Sequence, residues 1–136
     1  MRKEIKKLQV LVVDDQVDLL GVLREILINE NYEVLACSTG ELALERLSQQ
    51  QFNLLISDIG LPGIDGWQLV DAARQYQTDM SIIMITSWKN DETEMRKKRH
   101  GVSAVIHKPF RVIELMEAIH KLYKPKTCCR TCGKIS

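Results

Sequence analysis

The chain has 136 residues, 45% of them hydrophobic and 27% charged, with 19 basic and 18 acidic side chains and a formal net charge of +1. That length suits one compact domain and excludes two ordinary ones. The balanced charge gives no electrostatic footprint for nucleic acid or membrane surface, and the basic opening "MRKEIKKLQV" leads into too short an apolar run for a signal-peptide core or a bilayer span.

In chain order, "LQVLVV" reads as a strand buried on both faces, and it ends in two adjacent carboxylates, Asp14 and Asp15. From Gln16 to Asn29 the spacing predicts a helix with Leu20, Leu23 and Leu27 on its core face and Asn31 as a left-handed stop. "YEVLAC" is a second strand carrying Cys37. The next helix opens with "STGE", where Ser38 is expected to cap and Glu41 to reach back in a capping box. "FNLLIS" is a third strand and leads into Asp58, followed by the turn-rich "GLPGIDG" and the amphipathic "DGWQLVDAAR".

"SIIMIT" is a fourth strand, ending at Thr86 and Ser87. "NDETEMRKKRHG" should be the fourth of five helices, yet Met95 is its only large apolar residue. Acids lead and bases trail, which complements the helix dipole, but with little to bury this is expected to be the loosest element. Its "RKKRH" run reads as a solvated helix face rather than a nucleic-acid contact, because the preceding acids offset it. "SAVIH" is the fifth strand and delivers Lys108 and Pro109. "FRVIELMEAIHKLY" is the last helix, with Leu115, Met116, Ile119 and Leu122 facing the core. His100, His107 and His120 are scattered and sit beside no nucleophile, so they read as structural or surface residues.

Strict strand–helix alternation predicts a single α/β domain, a doubly wound parallel sheet with helices on both faces. The expected divisions are a basic lead at 1–7, the domain at 8–124, and a basic, cysteine-containing, flexible tail at 125–136. Clustered rather than distributed cysteines argue for reduced thiols in the cytoplasm and against a disulfide framework. Cys129 and Cys132 have the spacing of half a zinc knuckle, with Cys128 adjacent. Structural zinc needs four ligands, so Zn²⁺ held by Cys128, Cys129 and Cys132 requires a fourth from elsewhere in the chain or from a partner. No output domain is expected in the 13 residues after Tyr123.

Ligand sites in open parallel sheets lie beyond the carboxyl ends of the strands. There the chain places Asp14 and Asp15, then Asp58, Thr86 with Ser87, and Lys108. Three converging carboxylates repel by about 4 kcal/mol per pair at 4 Å and an effective dielectric near 20, so a cation, raised pKa values or both are required. Hard oxygen ligands suit Mg²⁺. A hydroxyl and an ammonium nearby are what an arriving phosphoryl group needs, and a carboxylate can be its nucleophile.

The motifs "VVDD", "SDIGLPGIDG", "MITS" and "HKPF" occur in the order and at the spacings of the response-regulator receiver domains of two-component signalling, which residues 8–123 resemble. The resemblance implies a flavodoxin-like five-stranded sheet of order 2-1-3-4-5 with five helices. It implies that Asp58 is the phospho-acceptor, Asp15 a direct Mg²⁺ ligand, Asp14 a ligand mainly through metal-bound water, and the Gly60 carbonyl a further ligand. Thr86 would be the switch hydroxyl, Lys108 the salt-bridge partner, and Lys108–Pro109 a cis peptide.

The expected function is a phosphorylation-dependent switch that is not a turnover enzyme. A sensor histidine kinase or phosphotransfer protein would supply the phosphoryl group, and a downstream protein would read the altered surface. No direct DNA or membrane binding is expected, and the chain would be a monomer or a phosphorylation-dependent dimer in the cytoplasm. Val105 stands where the family usually carries an aromatic reporter, which puts the threonine–aromatic form of switching in doubt. Gly60 and Trp88 stand where polar side chains often position the hydrolytic water, so a long-lived acyl phosphate shielded by Trp88 is expected. Ser87 replaces a common alanine conservatively. Two other functions fit parts of the pattern. A haloacid-dehalogenase-type phosphatase needs an Asp-x-Asp motif that "DDQVD" does not supply, and a constitutive adaptor would not need the intact constellation.

Overall fold

The computed structural model describes residues 7–87, 96–97 and 99–123. Five strands, β1 (Gln9–Val13), β2 (Glu33–Cys37), β3 (Leu54–Asp58), β4 (Ser81–Thr86) and β5 (Ala104–His107), form one parallel sheet in the order β2-β1-β3-β4-β5. Four helices, α1 (Val17–Asn29), α2 (Gly40–Leu47), α3 (Gly66–Arg74) and α4 (Val112–Leu122), connect or follow them. Most of the expected helix between β4 and β5 falls outside the described residues, with helical backbone at 96–97 and 99–100. The count among the described residues is therefore four complete helices, not five.

The period-2 geometry of the strands divides their side chains between two cores. Val10, Val12, Leu54, Ile56, Ile83 and Ile85 pack with Leu20, Leu23 and Leu27 of α1 and Leu115, Met116 and Ile119 of α4. Leu11, Val13, Leu55, Ile82 and Met84 pack on the other face with Ala43 and Leu47 of α2 and Leu69, Val70 and Ala73 of α3. Full burial of each such aliphatic side chain contributes about 1.5–3 kcal/mol. Apolar side chains on both faces explain why the central strands read as continuous runs. Leu122, expected on the core face, is only partly buried at the margin of the first core.

Asn31 takes a positive φ of 72° after α1, and its N–H donates to the Ile28 carbonyl at 2.9 Å, as a left-handed stop should. The expected capping box at Ser38 is one residue out. Thr39 is the N-cap of α2, its hydroxyl accepting from the Leu42 N–H at 3.1 Å. Glu41, freed from that role, accepts from the Ile64 N–H across the β3–α3 loop. A full capping box forms instead at α3, between Asp65 and Gln68.

Arg96 and His100 of the "RKKRH" run are half-buried rather than solvated, while Arg99 is exposed. The Arg96 guanidinium lies 5.8 Å over the Trp67 ring, and the His100 ring stacks 5.1 Å from Trp67 while pairing with Asp71. Arg74 ties α3 to the turn before β5 by donating to the Gly101 carbonyl at 3.0 Å.

Candidate functional site

Registration of the central strands brings their carboxyl ends level. Val13 of β1 pairs with Ser57 of β3, Asp58 with Ile85 of β4, and Thr86 with His107 of β5. The residue after each of β1 and β5, Asp14 and Lys108, and the last residue of β3, Asp58, therefore meet at one rim of the sheet. Asp14 is 1% exposed, Asp58 8% and Thr86 1%, so these polar groups are held in the body of the protein rather than on its surface.

Lys108 joins the acids. Its Nζ donates to Asp58 Oδ2 at 3.0 Å, Asp14 Oδ2 at 3.3 Å and Gln16 Oε1 at 3.2 Å. The Lys108 backbone N–H donates to the Thr86 carbonyl at 2.7 Å, and the Lys108–Pro109 peptide is cis, as expected. Asp14 Oδ1 accepts from the Gln16 N–H at 2.8 Å, and Asp58 Oδ1 from the Gly60 N–H at 3.1 Å.

Electrostatics follow from this packing. Burial pushes the Asp14 carboxyl above its ordinary range and the charge of Asp58 adds to it; the Gln16 N–H and the Lys108 charge oppose the shift without cancelling it. Burial alone would lower the Lys108 ammonium, but the hydrogen bond to Asp58 and the charges of Asp14 and Asp58 outweigh it and hold Lys108 above its ordinary value. One ammonium thus serves as the cation for an acidic cluster that carries three potential charges.

Carboxylate oxygens of Asp14, Asp15 and Asp58 all lie within 4.8 Å of one another. Magnesium takes oxygen ligands at about 2.1 Å, so opposed ligands sit about 4.2 Å apart, and the cluster needs little side-chain movement to bridge the ion. An all-oxygen, acid-rich donor set with one exposed member, Asp15, fits that ion and its retained waters.

The structure brings Asp14, Asp15, Asp58 and Lys108 together and puts Thr86 on the same rim. Gly60 lies in the loop that follows Asp58, and Ser87 is exposed just beyond β4. Val105 pairs with Met84 and packs against the α2–α3 core. Trp88 and the candidate zinc ligands Cys128, Cys129 and Cys132 lie outside the described residues. A cleft of about 1010 Å³ opens at the amino-terminal ends of the strands, beside Gln9, Asn53, Tyr76 and Tyr123, and contains none of the site residues.

Two contributors had no signature in the sequence. Gln16 looked like the first residue of a helix, and nothing in its identity announced a bond to a lysine 92 positions away. Gly66 was one glycine of a turn-rich loop. A Cβ there would stand 2.6 Å from the Asp58 carbonyl oxygen and 2.7 Å from Ile59 Cα, so only glycine lets α3 start against the backbone of Asp58.

The family profile described as the response regulator receiver domain matches residues 10–120. The two-component response regulator ARR14 of Arabidopsis thaliana is 33% identical over 110 residues, 79% of this chain and 29% of its own length. Regulatory protein VanRB of Enterococcus faecalis is 30% identical over 117 residues, 86% of this chain and 53% of its own. The chain therefore spans about half or less of these curated relatives. Among solved structures, a CheY-like receiver domain protein of Methanospirillum hungatei superposes with a TM-score of 0.82 at 31% identity, covering 86% of this chain and 94% of that one. Response regulator TrrA of Thermotoga maritima, solved in complex with Mg²⁺-BeF, superposes with a TM-score of 0.76 at 30% identity, covering 85% and 98%. Profile, relatives and fold agree, and the chain belongs to the response regulator receiver domains of two-component signalling.

Proposed function

We propose that Asp58 accepts a phosphoryl group and that Asp14, Asp15, Asp58 and the Gly60 carbonyl hold Mg²⁺ for the transfer. The observation that carries this reading is the Lys108 ammonium bonded at once to Asp14 and Asp58, in a pocket where a third carboxylate, Asp15, is within ligand distance. When bound, the metal would supply positive charge against the transferring oxygens. The remaining work falls to the chain. An Asp58 oxygen attacks phosphorus, the bond from phosphorus to the donor's imidazole nitrogen breaks, and the electron pair leaves with the imidazole. The Gly60 N–H and Lys108 orient the Asp58 carboxylate, and Lys108 with the Thr86 hydroxyl would hold the transferred oxygens. Burial of the rim excludes bulk water from the acyl phosphate.

Receiver domains are signalling switches rather than turnover enzymes. The proposed donor is a phosphohistidine on a sensor kinase or phosphotransfer protein, and the proposed readout is a change in the surface formed by β5 and α4, recognised by another protein. Mg²⁺-BeF bound to the similar TrrA supports the choice of ion and the phosphoryl chemistry. Family membership sets the phosphatase reading aside. Val105, too small and branched to swing like an aromatic ring, and the polar composition of "NDETEMRKKRHG" are what favour a constitutive adaptor.

Intact mass after incubation with acetyl phosphate and Mg²⁺ separates the two. A gain of one phosphoryl group, abolished by Asp58→Asn and by chelation of Mg²⁺, supports the switch. No gain supports the adaptor.

A further inference from the structure

Lys108 has three ammonium protons and three acceptors within hydrogen-bond distance, Asp58 Oδ2, Asp14 Oδ2 and Gln16 Oε1. Two of the three belong to the acidic cluster, so whatever engages those carboxylates competes with Lys108 for them. The third is a neutral amide oxygen. A hard cation in a pocket offering three carboxylates has little use for it, whereas an ammonium accepts it as a partner.

Gln16 is the N-cap of α1, a position whose side chain ordinarily turns inward to accept from its own helix, and here it makes no such bond. Its backbone N–H is fixed instead by Asp14 Oδ1 at 2.8 Å, and its side chain extends across the rim to the lysine. Glutamine is not one of the residues that cap well, and its longer side chain is left to make a long-range bond. Lysine carries a flexible four-carbon stem, and once released from its carboxylates it gains conformational entropy by swinging into water.

We propose that Gln16 is a positioning residue that keeps the Lys108 ammonium beside Asp58 when Asp14 and Asp58 are engaged by a divalent cation. This rests on the reading of Asp58 as phospho-acceptor and of the acids as cation ligands. Gln16 touches neither reacting atom and acts through Lys108 alone.

Gln16→Met tests it, because it keeps the length and volume of the side chain, removes the amide oxygen and costs no helix cap. The first readout needs no phosphorylation. The rate of reductive methylation of Lys108 Nζ, read by peptide mass, should rise about twofold in the Mg²⁺-free variant and about three- to tenfold with Mg²⁺ present, relative to wild type under the same conditions, as loss of one partly exposed hydrogen bond of ordinary net strength predicts. Unchanged rates in both conditions overturn the proposal. A rise that Mg²⁺ does not enlarge leaves the tether standing and refutes the competition with the cation.

The second readout is the rate of acetyl-phosphate labelling at saturating Mg²⁺. Gln16→Met should slow it about three- to tenfold in the native background and not at all in Lys108→Met. An equal loss in both backgrounds means that Gln16 acts on the phosphoryl group or its water directly, and overturns the proposal. If no variant is labelled, the acceptor assignment fails, and the methylation rates still decide the role of Gln16.

Discussion

Asp15 is the exposed member of the acidic cluster, and replacing it separates the cost of the cluster from its use. No hydrogen bond or ion pair from its side chain is present among the described residues, so Asp15→Ala breaks no bond seen there. It removes repulsion with Asp14 and Asp58, whose ligand oxygens lie within 4.8 Å. At that separation two unit charges repel by about 3.5 kcal/mol at an effective dielectric of 20 and by about 0.9 kcal/mol in bulk water. Exposure of Asp15 and salt screening favour the lower figure, and the lost attraction to Lys108 offsets part of it. A net gain of about 1 kcal/mol in the Mg²⁺-free protein is expected. In urea melts with a slope near 1.5 kcal/mol per molar, the midpoint should rise by roughly 0.7 M. Magnesium at a hundredfold its dissociation constant should stabilise wild type by about 2.7 kcal/mol, and most of that should vanish in Asp15→Ala. Phosphorylation with acetyl phosphate should vanish with it. A variant less stable than wild type without Mg²⁺, or equally stabilised by Mg²⁺, would refute the reasoning.

The raised Lys108 value gives a pH prediction. A group whose folded pKa lies above its ordinary 10.5 contributes stability that is complete below that pH and is lost as pH rises through the folded value. The stability difference between wild type and Lys108→Met in chelator should therefore be constant near neutrality and shrink above about pH 10.5, measured by urea midpoints. Gly66→Ala should cost about 1–3 kcal/mol through overpacking against the Asp58 carbonyl, whereas Gly21→Ala, where a Cβ meets nothing within 4 Å, should stabilise α1 by about 0.5–1 kcal/mol. Thermal melts distinguish them. With Gly60 unable to act as a base, the acyl phosphate should outlast many seconds in a phosphate-release assay; loss within seconds without a phosphatase would remove that expectation.

The sheet was legible because each central strand carries an uninterrupted apolar stretch, Val10–Val13, Leu54–Ile56 and Ile82–Ile85, before the polar residues at its end. "LQVLVV", "FNLLIS" and "SIIMIT" announce both the strands and, by where they stop, the rim on which Asp14, Asp58 and Thr86 sit. α1 was legible because its core leucines fall at helical spacing and Asn31 ends it. Short-range competition is harder to read. Ser38 and Thr39 are chemically near-equivalent caps; the cap falls on Thr39, and Glu41 is taken up by the Ile64 N–H from the loop after β3. The contacts of Gln16 and His100 are decided by residues tens of positions away. A local pattern carries no trace of a partner that only the folded sheet brings near.

The tight start of α3 bears on where a reaction at Asp58 can be felt. The Asp58 carbonyl is wedged beneath Gly66 and accepts from the Ser57 hydroxyl at 2.9 Å, and the next residue is held at both ends, with Ile59 N–H on the Ile85 carbonyl and the Ile59 carbonyl on Gly66 N–H. The main chain at Asp58 has nowhere to recoil. New bulk and charge on its carboxylate, as the proposed phosphorylation would add, would have to push outward against the groups that face it across the rim, toward the ends of β4 and β5 and away from α3.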